Sequence, residues 1–108
     1  METQAVQGYW FTSIREIAEA NERSGHHWFK AETLRYFGCR VSPTVYGGRY
    51  FVSSEQDTYG AWNYQRRYTV RMANENGTIE TIGEFGQYRT RAQAVAASRQ
   101  AVRQEAGK

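Results

Sequence analysis

The sequence predicts an α+β domain in which the elements follow the order α-α-β-β-β-β-α. Three patterns support this: apolar residues at helical spacing near both ends of the chain, alternating β-branched and aromatic residues in its middle, and glycine-rich turns between the middle segments. We expect a four-stranded antiparallel meander, with two N-terminal helices and one C-terminal helix packed on one face. At 108 residues the chain has the length for one domain, which we assign to residues 1–108.

The first third of the chain predicts two helices. Ser13 and Glu16 have the S-x-x-E spacing of a capping box, and a narrow apolar stripe follows them, which predicts a helix over about 13–23. A second, short helix is expected over about 30–37. The segment 1–12 is expected to be partly disordered at its start, because chain termini commonly fray.

The middle of the chain has the pattern of two β-hairpins. Gly47-Gly48 separates two β-branched and aromatic runs and predicts a tight turn, while Pro43 marks the first strand as an edge strand or a bulged one. A second hairpin is expected over 65–85, with turn residues from Asn74 to Gly77 and a bulge at Gly83. Its first strand alternates: one face carries Tyr68, Val70 and Met72, and the other carries Arg67, Thr69 and Arg71.

The C-terminal segment predicts the last helix. Thr90 and Gln93 form a second capping box, and the helix is expected to reach about residue 104. Small residues allow this helix to lie close to the sheet. The residues expected to face the sheet are Ala92, Val95, Ala96 and Val102.

The composition argues against several classes of protein. Aromatic residues make up 15% of the chain and charged residues 23%, a balance unlike that of a disordered chain. No apolar run approaches the roughly 20 residues of a membrane span, and the first residues lack the order of a signal peptide, so we expect a cytoplasmic protein without membrane contact. The single Cys39 cannot form an internal disulfide, and the adjacent His26 and His27 lack metal-site spacing, so we expect no metal and no cofactor.

We expect no enzymatic activity and therefore no catalytic residues. The sequence contains no G-x-S-x-G motif, no glycine-rich phosphate loop and no paired-carboxylate motif. His26-His27-Trp28 has no nucleophile tied to it by spacing, so it is expected to link the two helices, with one histidine packed and the other exposed. Cys39 is expected to be a small buried apolar residue.

The basic residues are mostly arginine. Twelve of the fourteen are Arg, and the net charge is +3. This bias suits contact surfaces, because guanidinium groups pair with carboxylates or phosphates and stack on rings; a GC-rich coding sequence would produce the same bias. A charge of this size attracts nucleic acid only weakly, so charge alone does not decide between partners.

The main candidate binding site is the segment from Tyr59 to Arg67, which combines aromatic residues and arginines beside a long polar loop. Such residues are enriched in interface hot spots, and the same set can stack on bases and hold phosphates. The residues expected to bind a partner are Tyr59, Trp62, Tyr64, Arg66 and Arg67. The alternative is that Trp62 and Tyr64 fold back and cap the open end of the sheet.

A second set of residues is predicted to make possible nucleic-acid contacts: Arg49, Arg71, Arg91 and Arg99. Arg67 and Arg71 are expected on the sheet face that the helices leave open, and Arg49 on the neighbouring strand is a possible third. A row of guanidinium groups there would resemble sheet-based nucleic-acid readers. The alternative is that Glu80 and Glu84 on the adjacent strand neutralise this row by cross-strand pairing. For Arg91 and Arg99 the alternative is a solvated helix margin.

Five segments between about Ser13 and Ala97 carry a family resemblance. They read S-I-R-E-I-A-E-A-N-E-R-S-G-H-H-W-F, T-L-R-Y-F-G-C-R-V, G-R-Y-F-V-S-S-E-Q, R-R-Y-T-V-R and T-I-G-E-F-G-Q-Y-R-T-R-A-Q-A-V-A-A. In this order and spacing they resemble a family of small uncharacterised proteins encoded on phages, plasmids and integrative elements. That family has no assigned catalytic or binding residues, so the resemblance implies a context and no site.

The resemblance and the aromatic segment together lead to a functional expectation. Accessory genes of mobile elements often encode antagonists of host defence, and the resemblance implies this context here. We expect a non-enzymatic binding protein that is a steric inhibitor of a host defence complex, of the anti-CRISPR kind, with a host protein or ribonucleoprotein complex as partner. The alternatives are a small nucleic-acid-binding module that uses a basic sheet face or helix margin, and an assembly partner that dimerises through the edge strand at Arg40 to Tyr46.

Overall fold

The computed structural model describes residues 10–36, 38–56, 62 and 65–107. Its elements, in chain order, are α1 (Ile14–Arg23), α2 (Ala31–Tyr36), β1 (Arg40–Val41), β2 (Tyr50–Gln56), β3 (Arg66–Ala73), β4 (Ile79–Ile82) and α3 (Arg91–Ala106). The four strands form one antiparallel sheet in the order β1-β2-β3-β4. The predicted fold class, element order and meander are confirmed. Of the helices in the described ranges, none has the length and apolar character to cross a membrane.

The two longer helices begin where the sequence predicts, because each has a capping residue. The Ser13 hydroxyl accepts a hydrogen bond from the Glu16 backbone N–H (3.2 Å), and the Glu16 carboxylate accepts one from the Thr12 backbone N–H (2.7 Å). At α3 the capping box is complete, since Thr90 and Gln93 each accept from the backbone N–H of the other. The hydroxyl groups of Ser13 and Thr90 thus satisfy N–H groups that the first helical turn leaves without partners. The predicted capping box at α1 is only half formed, because Glu16 accepts from Thr12 and not from the N–H of Ser13.

Helices cover both faces of the sheet, which differs from the expectation that all of them share one face. On the face that we call the α3 face, the buried cluster comprises Tyr50, Val52, Val70 and Ala94. On the opposite face, which we call the α1 face, the buried cluster comprises Phe11, Ile17, Ala20, Phe51 and Ala73. Successive strand residues point to opposite faces of the sheet. Because β2 is buried from Tyr50 to Glu55, other elements must pack on both faces of the sheet at this strand.

The side that α3 presents to the sheet is only partly the predicted one. Val95 and Val102 pack on the α3 face, as predicted. Ala92 and Ala96 are exposed, however, and Ala94 is buried in their place. Alanines occur on every side of this helix, so the apolar spacing does not distinguish one side from the other.

The turn at Gly47-Gly48 and the edge position of β1 are confirmed. Both glycines have positive φ, at 59° and 81°, and Tyr46 pairs with Tyr50 across the turn. β1 itself pairs with β2 through only Arg40 and Val41. Pro43 follows in the irregular stretch between this pairing and the turn, as its missing backbone N–H favours.

β4 ends at Ile82, before the predicted end at residue 85, and its two isoleucines lie on opposite faces of the sheet. The chain then leaves the ladder at Gly83 and returns where Tyr88 pairs with Tyr68. The predicted bulge at Gly83 is therefore wrong. A loop outside the sheet takes its place, and we call it the 83–87 loop.

Candidate binding groove

A groove opens on the α1 face between α2 and the 83–87 loop. Its volume is about 260 Å³. The residues that line it are Trp28, Thr33, Leu34, Cys39, Glu55, Arg71 and Phe85. We call it the Phe85 groove, because Phe85 borders it and exposes 46% of its surface. One wall comes from α2, another from the 83–87 loop, and the floor from β2 and β3.

The Trp28 side of the groove is fixed by contacts with the rest of the fold. The ring centre of Trp28 lies 4.7 Å from that of Phe29 and 5.8 Å from that of Phe51, both edge-on. The Trp28 backbone N–H donates to the side-chain oxygen of Asn21 (3.1 Å), and the Asn21 side chain donates to the Gly77 carbonyl (2.8 Å). This wall is therefore tied both to α1 and to the turn between β3 and β4.

The floor of the groove contains a buried ion pair between Glu55 and Arg71. Glu55 is only 1% exposed, and Arg71 Nη2 donates to its Oε2 at 3.0 Å. The same carboxylate accepts from the Ser53 hydroxyl at 2.6 Å and from the Thr69 hydroxyl at 2.7 Å. These bonds replace the hydration that burial removes from the carboxylate.

The guanidinium group of Arg71 is held by hydroxyl groups and aromatic rings as well. Its Nε donates to the Ser53 hydroxyl (2.9 Å), and its Nη1 donates to the Thr81 hydroxyl (2.6 Å). The guanidinium carbon lies 5.3 Å from the centre of the Trp28 ring and 5.5 Å from that of the Phe85 ring. Both rings border the same cation, an arrangement that adds cation–π attraction.

The carboxylate that neutralises Arg71 does not come from the predicted strand. The alternative in which Glu80 and Glu84 pair with the arginines of β3 is wrong. Glu80 pairs with Met72 in the ladder and so lies on the α3 face, while Glu84 lies in the 83–87 loop. Glu55 on the opposite neighbour strand provides the charge instead.

Cys39 borders this polar cluster and is half-buried, which corrects the expectation of a buried apolar residue. Its Sγ lies 3.5 Å from Glu55 Oε2, to which it donates. Burial, together with the adjacent Glu55 carboxylate, raises the pKa of the Cys39 thiol to about 12. The thiol is therefore protonated at neutral pH and is a poor nucleophile.

A comparison with protein families matches residues 13–99, a range that contains all the described residues that line the Phe85 groove. The chain belongs to a family of unknown function, DUF7447. Membership of a family without an assigned function was expected over about Ser13 to Ala97, and this part of the expectation is confirmed. Comparisons with curated proteins and with solved structures gave no match.

In this DUF7447 chain, the predicted binding segment meets the groove at Trp62. The Trp62 ring centre lies 5.4 Å from that of Phe85, and a Cβ at Gly86 would collide with the indole. The guanidinium carbon of Arg67 lies 5.7 Å from the same indole. Trp62 is half-buried, so it packs on the fold and also forms part of the surface beside the groove. The other two aromatic residues predicted to bind a partner, Tyr59 and Tyr64, lie outside the described residues.

The two arginines of the predicted segment are bonded to oxygen atoms of the fold. Arg66 Nη1 donates to the Gly38 carbonyl (3.0 Å) and to the Ser54 hydroxyl (2.9 Å). Arg67 Nη2 donates to the Gln87 carbonyl (3.3 Å). Neighbouring strand residues point to opposite faces, so only Arg67 shares the α1 face with the groove, and Arg66 lies on the α3 face.

The four arginines predicted as possible nucleic-acid contacts lie in separate parts of the structure. Arg49 forms an ion pair with Glu105 of α3, and Arg71 lies buried in the floor of the groove. Arg91 and Arg99 are exposed on α3, on its side toward the edge of the sheet at β1. The sheet face on which a row was expected is covered by the α1 cluster, so that expectation is wrong.

Both His26 and His27 are exposed, which corrects the expectation that one of them is packed. Trp28 and Phe29, which follow them, take the packed positions. The two histidines line a second cavity, of about 390 Å³, next to the Phe85 groove, and Trp28 and Thr33 line both. Within the part of the chain that the structure describes, no three His, Cys, Asp or Glu side chains are grouped as metal ligands would be.

Proposed function

We propose that the protein is a non-enzymatic binding protein that takes one apolar side chain of a macromolecular partner into the Phe85 groove. The observation that carries this proposal is the groove itself, with Trp28, Leu34 and Phe85 as apolar walls above a neutralised floor. Pockets for whole small ligands usually have roughly 300–1,000 Å³. A volume of about 260 Å³ suits a single side chain better, as in an interface hot spot.

The polar groups at the groove support a binding role over a catalytic one. Glu55 has hydrogen bonds at both carboxylate oxygens and is sealed from solvent, so it is poorly placed to take a proton from a substrate. The Cys39 thiol has a raised pKa, whereas a nucleophilic thiol needs a lowered one. Both groups serve the stability of the floor.

Exposed aromatic surface beside the groove supports the same proposal. Phe85 keeps 46% of its surface exposed, and Trp62 lies next to it under Arg67. Aromatic and arginine side chains around a pocket are typical of protein interfaces. We therefore propose that Trp62 and Arg67 also contact the partner, at the surface beside the groove.

The narrower proposal is that the chain belongs to a mobile element and blocks a host defence complex, as anti-CRISPR proteins do. A protein that occupies a partner's surface inhibits it without chemistry, so a binding role without catalysis is what this proposal requires. The partner would be a host protein or a ribonucleoprotein complex in the cytoplasm. This remains a prediction, based on the sequence resemblance.

Affinity capture from a host lysate tests the binding role, with and without nuclease. Phe85→Ala removes an exposed wall of the groove, and we expect it to reduce recovery of the partner about tenfold or more, the loss typical of a hot-spot residue. Trp10→Ala is the matched control, because Trp10 is 37% exposed and does not line the groove. Thermal unfolding checks that both variants fold. Equal recovery with both variants would exclude the groove as the binding site.

A second candidate function, nucleic-acid binding, is favoured by one observation on α3. Arg91 and Arg99 are exposed there, and the only acidic residue between Phe85 and Gly107 is Glu105, which is paired with Arg49. Binding to a generic DNA duplex and a single strand at increasing salt separates the two functions. A partner-binding protein leaves both unbound, whereas binding at low salt that falls steeply as salt rises would favour the alternative.

A further inference from the structure

We infer that the Phe85 groove selects a neutral aromatic side chain, and that tyrosine is its best match; as a statement about a partner, this rests on the binding role proposed above. The first argument is charge. The carboxylate of Glu55 is sealed from solvent, so an incoming ammonium group finds no anion that it can reach. The guanidinium group of Arg71 is already paired with that carboxylate, so an anionic side chain gains little there.

The second argument is the hydrogen-bonding capacity of Arg71. A guanidinium group has five N–H donors. Among the described residues, three of them donate to Ser53, Thr81 and Glu55, which leaves one N–H on Nη1 and one on Nη2. Arg71 lines the groove, so an occupant with a neutral acceptor oxygen can bond to it there. An occupant without an acceptor leaves these donors unsatisfied, which weakens its binding.

The third argument is the shape of the walls. Trp28 and Phe85 border the guanidinium group at 5.3 Å and 5.5 Å from their ring centres, and the Trp28 ring is fixed by edge contacts with Phe29 and Phe51. A ring that enters between such walls gains aromatic contacts beyond the burial of apolar area. An aliphatic side chain gains the burial alone.

Tyrosine is the aromatic side chain that meets all three conditions. Its hydroxyl oxygen accepts a hydrogen bond, whereas phenylalanine has no acceptor and the tryptophan indole N–H only donates. An indole N–H next to the N–H groups of Arg71 would bring donors together with no acceptor for any of them. The tyrosine ring is also of a size that a groove of about 260 Å³ can hold.

Isolated amino-acid amides test this selectivity directly. We would titrate the full chain with N-acetyl-tyrosinamide and with the phenylalanine, tryptophan, leucine and lysine amides, and follow the Trp28 indole signal by NMR. We expect the tyrosine amide to bind about tenfold tighter than the phenylalanine amide, the fold-change of one hydrogen bond to a charged group. The lysine amide should cause no shift. Leucine or lysine amides that bind as tightly as the tyrosine amide would overturn the inference.

A groove-filling variant tests the location without touching the ion pair. Leu34→Trp adds an indole to the wall contributed by α2, at a residue that lines this groove and not the second cavity, and we expect it to abolish binding of the tyrosine amide. Thr44→Trp is the matched control, because Thr44 is exposed and does not line the groove. Unchanged binding by Leu34→Trp would place the amide elsewhere and overturn the inference.

The two proposals can fail separately. If the tyrosine amide does not bind while Phe85→Ala still reduces partner capture, the tyrosine preference is wrong and the binding role stands. If the tyrosine amide binds with the expected preference while Phe85→Ala leaves partner capture unchanged, the preference of the groove stands and its proposed role in holding the partner is wrong.

Discussion

Glu55 is sealed from solvent, so the contribution of its charge to stability can be measured by removing it. We expect Glu55→Gln to lower the free energy of unfolding by about 3–5 kcal/mol, because it leaves Arg71 as a buried charge without a counterion. Denaturation followed by circular dichroism measures the loss. The double variant Glu55→Gln with Arg71→Met removes both charges and should be more stable than Glu55→Gln alone. Native-like stability of Glu55→Gln would contradict this role.

Cys39 allows a second test at the scale of one residue. Its pKa is raised from 9.0 to about 12, so folding favours the protonated thiol. We expect iodoacetamide to modify Cys39 much more slowly in the folded chain than in urea, at the same mildly alkaline pH, because the thiolate is the reactive form. Mass spectrometry measures both rates. By linkage, this contribution to stability is present below pH 9.0 and declines as the pH rises toward 12. Equal rates in both states would contradict the shift.

The residues of the groove show why the sequence predicts only part of the site. Trp62 and Arg67 stand out because they are close together in the sequence. Glu55, Arg71 and Phe85 are far apart in the sequence and meet only through the register of β2 with β3 and through the 83–87 loop. One signal was present, since Glu55 alternates in phase with the buried Phe51 and Ser53, but alternation does not identify its partner.

At the scale of the element, the 83–87 loop depends on close contact with Trp62. Gly86 has a φ of 68°, and a Cβ there would collide with the indole. We expect Gly86→Ala to destabilise the fold by about 1–3 kcal/mol and to shift the tryptophan fluorescence, because the backbone is strained and the indole must move.

Gly25→Ala is the matched control for that prediction. Gly25 has a φ of 85° and no atom within 4 Å of a Cβ, so its substitution introduces backbone strain without a collision. It should cost less stability than Gly86→Ala, and the tryptophan fluorescence should stay unchanged. If both variants lose the same stability with the same spectrum, the contact between Gly86 and Trp62 does not hold the loop.

The elements that the sequence predicts best are those set by local chemistry. α1 and α3 begin at the capping residues Ser13 and Thr90, and the first hairpin turns at Gly47-Gly48. The end of β4 was predicted less well, because its two isoleucines do not share a face and the chain leaves the sheet to form a loop. The residue at which a strand ends depends on its packing against neighbouring strands and helices, and the spacing of apolar residues in the sequence does not show that packing.

At the scale of the whole molecule, the sheet separates two interiors of different chemistry. The α3 face holds an apolar cluster, whereas the α1 face combines aromatic packing with the ion pair of Glu55 and Arg71. A buried ion pair can be less stabilising than apolar residues of similar volume, because both charges lose their hydration. The groove lies on this polar side, on the face of the sheet opposite to α3.

The edges of the sheet predict a monomer in solution. β1 pairs over only two residues and is followed by Pro43, and the other edge strand, β4, has four residues. Short edge strands and proline limit strand pairing between chains. A dimer through Arg40 to Tyr46 would therefore have only a short strand available for pairing. Light scattering of the chain should therefore give a mass of 12.5 kDa. A mass twice as large, unchanged when Phe85→Ala opens the groove, would contradict this argument and favour pairing through an edge.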